Sequence, residues 1–301
     1  MQFGRNRAKT FADASRYYLA TEAKKSLERD ARDLQGVEPW IGHLELGMVK
    51  RPMLMPYVTA TLEAGKAHST VARSLRVVRR VLVLAVDEWE WLDRVPLLRI
   101  EAMLKTAERE TNKRWGPARE GYCLSIDEQQ RLLGYLPEHL HCMALFAIHT
   151  GARQEEVCGL RWEWLRQGEV WHFDLPADAT KGGRRRPLVL NRAGRRIVEG
   201  QSDKGIYVFQ YANSRIQRMN NTAWRRARKK AKLPRLRVHD LRHTAATRMR
   251  DAGVREEDIR DVLGHSGSSV TRLYAAPTLR LLYNAVQAPY QKSTALALET
   301  G

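Results

Sequence analysis

The sequence predicts a mainly α-helical protein with a small β-sheet, divided into two domains. Apolar residues recur at helical spacing over residues 69–91 and again over 139–149. Short apolar segments at 170–173 and 186–190 flank the pair Gly182 and Gly183, a pattern typical of two strands joined by a tight turn. A chain of 301 residues is long enough for two domains that each bury a core of ordinary size.

Caps and breaks predict further helices in the first half, over residues 10–20, 24–34 and 57–64, with a break at 39–47 that contains proline and glycine. The helix at 69–91 has an apolar stripe formed by Val71, Leu75, Val78, Leu82, Ala85 and Trp89. Three arginines project from its opposite side: Arg73, Arg76 and Arg80. This face suits DNA binding, although the pattern fits a solvated basic face equally well.

In the second half, Ser125 and Glu128 stand at capping-box spacing and predict the start of a helix. The apolar helix at 139–149 ends near Gly151, which permits a turn before Arg153. A single helix is predicted over 214–232. Five cations are expected on one side of it: Arg218, Arg225, Arg228, Lys229 and Lys232. Such a face can neutralise several phosphates.

The charge of the chain points to a polyanionic partner. It has 52 Lys plus Arg against 34 Asp plus Glu, a formal net charge of +18 and a pI of about 10.2. Because the excess recurs along the chain, nucleic acid is favoured over an anionic membrane or a merely soluble basic protein. Cys123, Cys142 and Cys158 form no CxxC pair and predict reduced thiols in the cytoplasm. No apolar run predicts a signal peptide or a membrane span.

Residues that can carry phosphate chemistry cluster between His239 and Tyr274. His239 and Arg242 are three positions apart and share one face of a predicted helix. His265 lies nine positions before Tyr274, across a predicted turn. Arginine matches two phosphate oxygens, histidine moves a proton near neutral pH, and a tyrosine hydroxyl can form a covalent intermediate.

Four motifs occur in order along the chain: TGAR ending at Arg153 and continuing QEEVCGLRW, TKGGRRRPLVL around Lys181, HDLRHT from His239, and LGHSGSSVTRLYA through Tyr274. Together they resemble the tyrosine recombinase family, which includes phage integrases. The resemblance implies an N-terminal helical core-binding (SAM-like) domain and a mixed α+β catalytic domain. The predicted boundaries are 1–104 for the first domain, 105–123 for a linker, 124–285 for the second domain and 286–301 for a C-terminal tail.

The resemblance also implies a site that binds a phosphodiester. Arg153 and Arg242 are expected to hold the two nonbridging oxygens, with His265 as a further donor. Glu156 matches an acidic position that supports the hydrogen bonds of the site. A buried structural histidine and an exposed helix carboxylate remain the alternative interpretations of His265 and Glu156.

By the same resemblance Tyr274 is the nucleophile, His239 is the base that accepts its proton, and Lys181 is the general acid for the departing 5′ oxygen. Lys181 could instead be a solvated lysine, and Tyr283 and Tyr290 are rival tyrosines without the LGH element nine residues before them. No metal or other cofactor is expected, since the sequence has no HExxH, no magnesium-type carboxylate cluster and no GxxxxGK[ST] loop.

The expected function is a site-specific DNA recombinase, an integrase of a phage or other mobile element. A dimer-resolving recombinase, a type IB topoisomerase-like enzyme and a catalytically silent DNA-binding regulator remain alternatives. The expected partners are double-stranded recombination sites, a homotetramer assembled on DNA, and accessory DNA-bending or directionality proteins, with no membrane. The segment after Pro277 is expected either to dock on a neighbouring subunit or to pack on its own domain.

Overall fold

The computed structural model describes residues 9–24, 26–111, 121–201, 205–265 and 277–292. The chain divides into two compact units, residues 1–119 and 120–301. Each unit has its own hydrophobic core within its described part. No helix among these residues is long and apolar enough to span a membrane, and the three cysteines are free.

The first unit is a helical bundle. Its helices are α1 Phe11–Thr21, α2 Leu27–Ile41, α3 Arg51–Glu63, α4 His68–Asp87 and α5 Ile100–Thr111, with a 3₁₀ turn at Leu46–Met48. A capping box between Thr10 and Asp13 begins α1, in agreement with the helix predicted over residues 10–20. The stripe on α4 is confirmed for five residues that are fully buried: Val71, Leu75, Val78, Leu82 and Ala85. Trp89 lies beyond the helix end and packs partly buried.

Three predicted helices in this unit have different bounds in the structure, and the first difference is that α4 ends at Asp87 and not at residue 91. α2 continues through Pro39 to Ile41, inside the predicted break at 39–47. The burial of Ile41 outweighs the one hydrogen bond that a proline cannot donate. α3 begins at Arg51 instead of residue 57, because Pro52 lies in the first helical turn, where a missing N–H has no helical partner.

α5 also overlaps the predicted linker at 105–123. Met103, Leu104 and Ala107 are fully buried in the core of the first unit. The helix ends at Thr111. Residues 105–111 are therefore helical, because the burial of one face gives this polar stretch a packing partner.

The second unit combines helices with a three-stranded antiparallel sheet. Its helices are α6 Ile126–Tyr135, α7 Glu138–Thr150, α8 Gln154–Cys158, α9 Arg192–Glu199, α10 Thr222–Lys230, α11 Val238–Asp251, α12 Glu256–Leu263 and α13 Leu279–Lys292. Its strands are β1 Leu165–Arg166, β2 His172–Leu175, β3 Arg186–Val189, β4 Gln210–Tyr211 and β5 Ser214–Arg215, with 3₁₀ turns at Trp162–Trp164 and Ala177–Ala179. The three-stranded sheet has the order β1-β2-β3, and β4 pairs with β5 separately.

Local signals in this unit largely agree with the structure. The capping box of Ser125 and Glu128 begins α6 as predicted. β2 and β3 pair antiparallel, with Leu175 opposite Arg186, so the predicted hairpin is confirmed and its first arm is shifted towards the turn. α13 runs across the predicted start of the tail at residue 286 and packs against α11 and α12.

The single helix predicted over 214–232 is wrong. β4 and β5 form a hairpin whose turn residues Ala212 and Asn213 have φ of 49° and 58°. Asn221 then caps α10 with its side chain. Turn and cap chemistry therefore outweigh the helical spacing of the charged residues in this stretch.

Candidate active site

A left-handed glycine presents the first predicted catalytic arginine. α7 ends at Thr150, and Gly151 follows with φ of 67°, a conformation that glycine adopts without strain. A Cβ at position 151 would lie 2.6 Å from Cδ2 of Leu263. This turn therefore lets α12 pack closely and places Arg153 at the N-cap of α8.

Glu156 is the buried carboxylate of the site, with 2% of its surface exposed. It accepts hydrogen bonds from the Arg153 backbone N–H (2.8 Å), from Nη1 of Arg153 (3.0 Å) and from Nη2 of Arg186 (2.7 Å). Burial by itself would raise the pKa of Glu156. The charges and hydrogen bonds of Arg186 and Arg153 together have the larger effect, so the pKa lies below its ordinary value. Glu156 is therefore an ionised anchor for two arginines and not the exposed helix carboxylate of the alternative interpretation.

Arg242 reaches the same place from α11 and is 4% exposed. Its Nη1 donates to the carbonyl oxygen of Gly151 at 2.8 Å, and its Nη2 donates to that of Leu263 at 2.6 Å. Burial, followed by the charges of Arg153 and Arg186, lowers the pKa of Arg242 to about 9, while Glu156 acts in the opposite direction. The guanidinium remains protonated at neutral pH in surroundings that favour an anion.

Arg153, Glu156, Arg186 and Arg242 form an arginine cluster around one carboxylate. Two histidines, His239 and His265, lie at its exposed edge. His239 is exposed on α11, and its ring meets that of His243 edge-on at 4.9 Å. Partial desolvation by the surrounding protein, followed by the charges of His243 and Arg242, lowers the pKa of His239. His265 is also exposed, so it is not the buried structural histidine of the alternative interpretation. Partial desolvation by the surrounding protein, followed by the charges of Arg242 and Arg153, lowers the pKa of His265.

Lys181 lies exposed in the turn that leads to β3. Thr180 closes this turn, since its Oγ1 donates to the carbonyl oxygen of Arg184 at 2.8 Å and accepts from the Arg184 N–H at 3.1 Å. Gly183 has φ of 63°. The structure brings Arg153, Glu156 and Arg242 together, whereas Lys181 sits on a separate, solvent-facing turn.

The predicted nucleophile, Tyr274, lies outside the described residues. Both rival tyrosines are described. Tyr290 is 6% exposed and its ring packs 4.5 Å from that of His149. Tyr283 is partly buried against the core formed by α11, α12 and α13. Packing thus accounts for both rivals.

The predicted DNA-binding arginines of α4 all lie near carboxylates. Arg73 makes two hydrogen bonds to Asp33, at 2.7 and 2.9 Å. Arg76 lies 3.6 Å from Glu101 and Arg80 lies 4.0 Å from Glu22. Arg76 and Arg80 are exposed, whereas Arg73 is partly buried.

The five cations predicted on one helix face lie in three different segments: the connection before α10, α10 itself and the residues after it. Arg218 lies in the connection before α10, and Lys232 lies after its end with φ of 60°. Of the remaining cations, Arg225 and Lys229 are exposed on α10, whereas Arg228 donates from Nη1 to the carbonyl oxygen of Leu236 at 2.7 Å.

Arg186 is a residue of this cluster that the sequence did not single out. It stands on β3, and 11% of its side chain is exposed. In the sequence it ends the run Arg184-Arg185-Arg186, which is typical of a solvated turn. Its place opposite the buried Leu175 is set by the register of β2 and β3 in the folded protein, so the sequence prediction contained no comparable signal.

The fold and the position of this arginine cluster agree with the predicted class, the tyrosine recombinases. Residues 123–280, more than half of the 301-residue chain, match the Phage integrase family, and the chain belongs to that family. The predicted family is thus confirmed.

Relatives in the family are similar over part of their length. The integrase of Salmonella phage P22 is 26% identical over 225 residues, which are 69% of this chain and 54% of that protein. Tyrosine recombinase XerA of Pyrococcus furiosus is 26% identical over 200 residues, which are 63% of this chain and 68% of that protein. The match therefore spans about half the length of the P22 integrase.

Solved structures share the fold. The Tn1549 transposon integrase (residues 82–397) in complex with circular intermediate DNA has a TM-score of 0.64 at 17% identity, with 89% of this chain and 96% of that chain covered. A lambda integrase tetramer bound to a Holliday junction has a TM-score of 0.62 at 14% identity, with 86% and 77% covered. The predicted fold class, mainly α with a small β-sheet, is confirmed.

Proposed function

We propose that this protein is a site-specific DNA recombinase that cleaves and rejoins DNA through a 3′-phosphotyrosyl intermediate. The observation that carries the proposal is the convergence of Arg153 and Arg242 beside Glu156. A guanidinium has five N–H donors, and the two that hold Arg242 to backbone carbonyls leave others for an anion. Such a cluster suits a phosphodiester, whose oxygens gain negative charge in the transition state.

In the proposed reaction, Arg153 and Arg242 bind the nonbridging oxygens and His265 donates a further hydrogen bond. The Tyr274 oxygen attacks phosphorus in line, and its proton passes to His239. The bond from phosphorus to the 5′ oxygen breaks, and that oxygen takes a proton from Lys181. The phosphotyrosyl bond keeps the energy of the broken bond, so a 5′ hydroxyl of a partner strand can attack it and reseal the DNA without ATP.

The lowered pKa of His239 supports its role as the base. A histidine whose pKa lies below the ordinary 6.5 is neutral at physiological pH and can accept a proton. A free tyrosine has a pKa near 10, so it needs such an acceptor.

We further propose a role in integrating or excising a phage or other mobile element. Similarity to the integrase of phage P22 supports this role, whereas similarity to XerA supports the alternative of a recombinase that resolves chromosome or plasmid dimers. Four active sites are needed to exchange two pairs of strands, so we propose a homotetramer assembled on double-stranded DNA. The presence of both arginines and of His239 disfavours a catalytically silent regulator.

Covalent trapping tests the proposal. Randomly fragmented DNA of candidate hosts and elements is incubated with the wild-type chain or with Tyr274→Phe, denatured, and assayed for DNA that remains attached to protein. We expect attachment with the wild type alone, and sequencing of the attached fragments locates the site. Equal attachment to both proteins would contradict the proposal, as would its absence with the wild type on nicked fragments that the protein binds.

A further inference from the structure

Arg186 joins two parts of the arginine cluster. Its Nη2 donates to Oε2 of Glu156 at 2.7 Å, and its Nε lies 3.4 Å from Oε1 of the same carboxylate. Its Nη1 donates to the carbonyl oxygen of Val262 at 3.0 Å. One guanidinium on β3 therefore holds both α8 and the end of α12.

Each of these contacts leads to a group that the proposed reaction uses. Glu156 in turn holds Nη1 of Arg153 at 3.0 Å. The end of α12 continues into Gly264, whose carbonyl oxygen accepts a hydrogen bond from Nη2 of Arg153 at 3.1 Å, and then into His265. Arg186 thus acts on Arg153 from two directions and stands next to the backbone that carries His265.

The backbone of Gly264 lies in close contact with the side chain of Arg186. Gly264 has φ of 61°, and a Cβ built on it would lie 2.5 Å from Cδ and 2.8 Å from Nε of Arg186. Only a residue without a Cβ permits the arginine to lie against the peptide at this point. The aliphatic part of Arg186 therefore packs directly on the segment before His265.

We propose that Arg186 is a positioning residue, which sets Arg153 and His265 in place by holding Glu156 and the end of α12 together; this role rests on the proposed function. Arg186 is not expected to contact the phosphate. Its donors face Glu156 and Val262, and little of its side chain is exposed.

A lysine cannot take this role, although it keeps the charge. An ammonium has no planar fork, so it cannot bind both oxygens of Glu156 and the carbonyl of Val262 at once. The comparison of Arg186→Lys with wild type therefore separates geometry from charge. Arg185→Lys, at an exposed position in the same turn, is the matched control.

The first measurement needs no DNA site. Inorganic phosphate is titrated into the full-length chain at low salt by isothermal calorimetry, with wild type, R185K, R186K, E156Q and the double variant R186K/E156Q. We expect R185K to bind phosphate as wild type does and R186K to bind it about tenfold more weakly. Because Arg186 acts in part through Glu156, the loss of phosphate affinity in the double variant should be smaller than the sum of the two single losses.

The second measurement uses a DNA fragment attached by the wild type in the trapping assay. We expect the rate of phosphotyrosyl formation by R186K to fall about 100-fold, while its Kd for the same fragment stays within about twofold of that of R185K. A loss of DNA affinity in parallel with the rate would indicate a merely structural residue and overturn the proposal.

Several results of these two measurements would contradict the positioning role or the proposed function. The positioning role would be overturned if R186K bound phosphate as tightly as R185K does. It would also be overturned if the effects of R186K and E156Q simply added in the double variant. Absence of phosphate binding by the wild type would remove the anion site on which the role depends. If wild type binds phosphate but never attaches to DNA, the proposed function fails, and the phosphate titration still decides the role of Arg186.

Discussion

Arg242 donates from Nη2 to the carbonyl oxygen of Leu263 at 2.6 Å, which ties α11 to the last residue of α12. Its other terminal nitrogen holds the carbonyl oxygen of Gly151, the turn that precedes Arg153. The side chain expected to bind a phosphate oxygen therefore also fixes three backbone segments around that phosphate. This double role makes the site sensitive to the shape of Arg242 as well as to its charge.

Arg242→Lys is expected to lower the rate of phosphotyrosyl formation by about 100-fold or more, since it removes a preorganised donor pair from the transition state. Two buried carbonyl oxygens lose partners, so the free energy of unfolding should fall by roughly 1–3 kcal/mol. Single-turnover cleavage and denaturant titration measure the two effects. Arg250→Lys, exposed on the same helix, is the control. Cleavage by R242K within a few-fold of R250K would count against the assigned role.

Gly151→Ala should destabilise the second unit by about 1–3 kcal/mol. The substitution forces a left-handed φ on alanine and brings its Cβ within 2.6 Å of Leu263. Gly134 is the matched control, because it lies in α6 and a Cβ there meets nothing within 4 Å. Gly134→Ala should raise stability by about 0.5–1 kcal/mol. Equal effects of the two variants on unfolding would mean that the turn at Gly151 is not needed.

The rate of cleavage should depend on pH through His239. Burial, followed by His243 and Arg242, lowers the pKa of His239 below 6.5. A base works in its neutral form, so the rate should be constant above that pKa and fall as the pH drops through it. The single-turnover pH profile should lose this acidic limb in His239→Gln and keep it in His265→Gln. Loss of the limb in His265→Gln alone would exchange the two roles.

Acid should unfold the second unit partly through His149. Burial, with a smaller contribution from Arg248, lowers the pKa of His149 from 6.5 to about 3. Because the unfolded chain holds the proton more tightly, unfolding takes up a proton between these values, and stability is lost as the pH falls through this window. The slope should reach about 1.4 kcal/mol per pH unit.

Denaturant titrations at several pH values measure this slope. His149→Gln should have a shallower slope than wild type, and His141→Gln, partly exposed on the same helix, should match wild type. An unchanged slope in His149→Gln would show that another group takes up the proton.

Local patterns predicted the parts of the fold that depend on local chemistry. The capping boxes at Thr10 and Ser125 and the buried stripe of α4 needed only neighbours in sequence. The stretch at 214–232 was misjudged because helical spacing of charges competes with a left-handed turn and an asparagine cap. Arg186 was missed because its burial arises from Glu156, thirty positions away in sequence, and from the end of α12.

The central claim is that Tyr274 is the nucleophile. The measurement that tests it most directly is the chemical identity of the covalent adduct. Wild-type protein attached to DNA is digested with nuclease and protease, and the peptide that carries a nucleotide is identified by mass spectrometry. We expect a nucleotide joined through its 3′ phosphate to Tyr274 in the peptide that contains it. An adduct on Tyr283, Tyr290 or another residue, or a linkage through a 5′ phosphate, would contradict it.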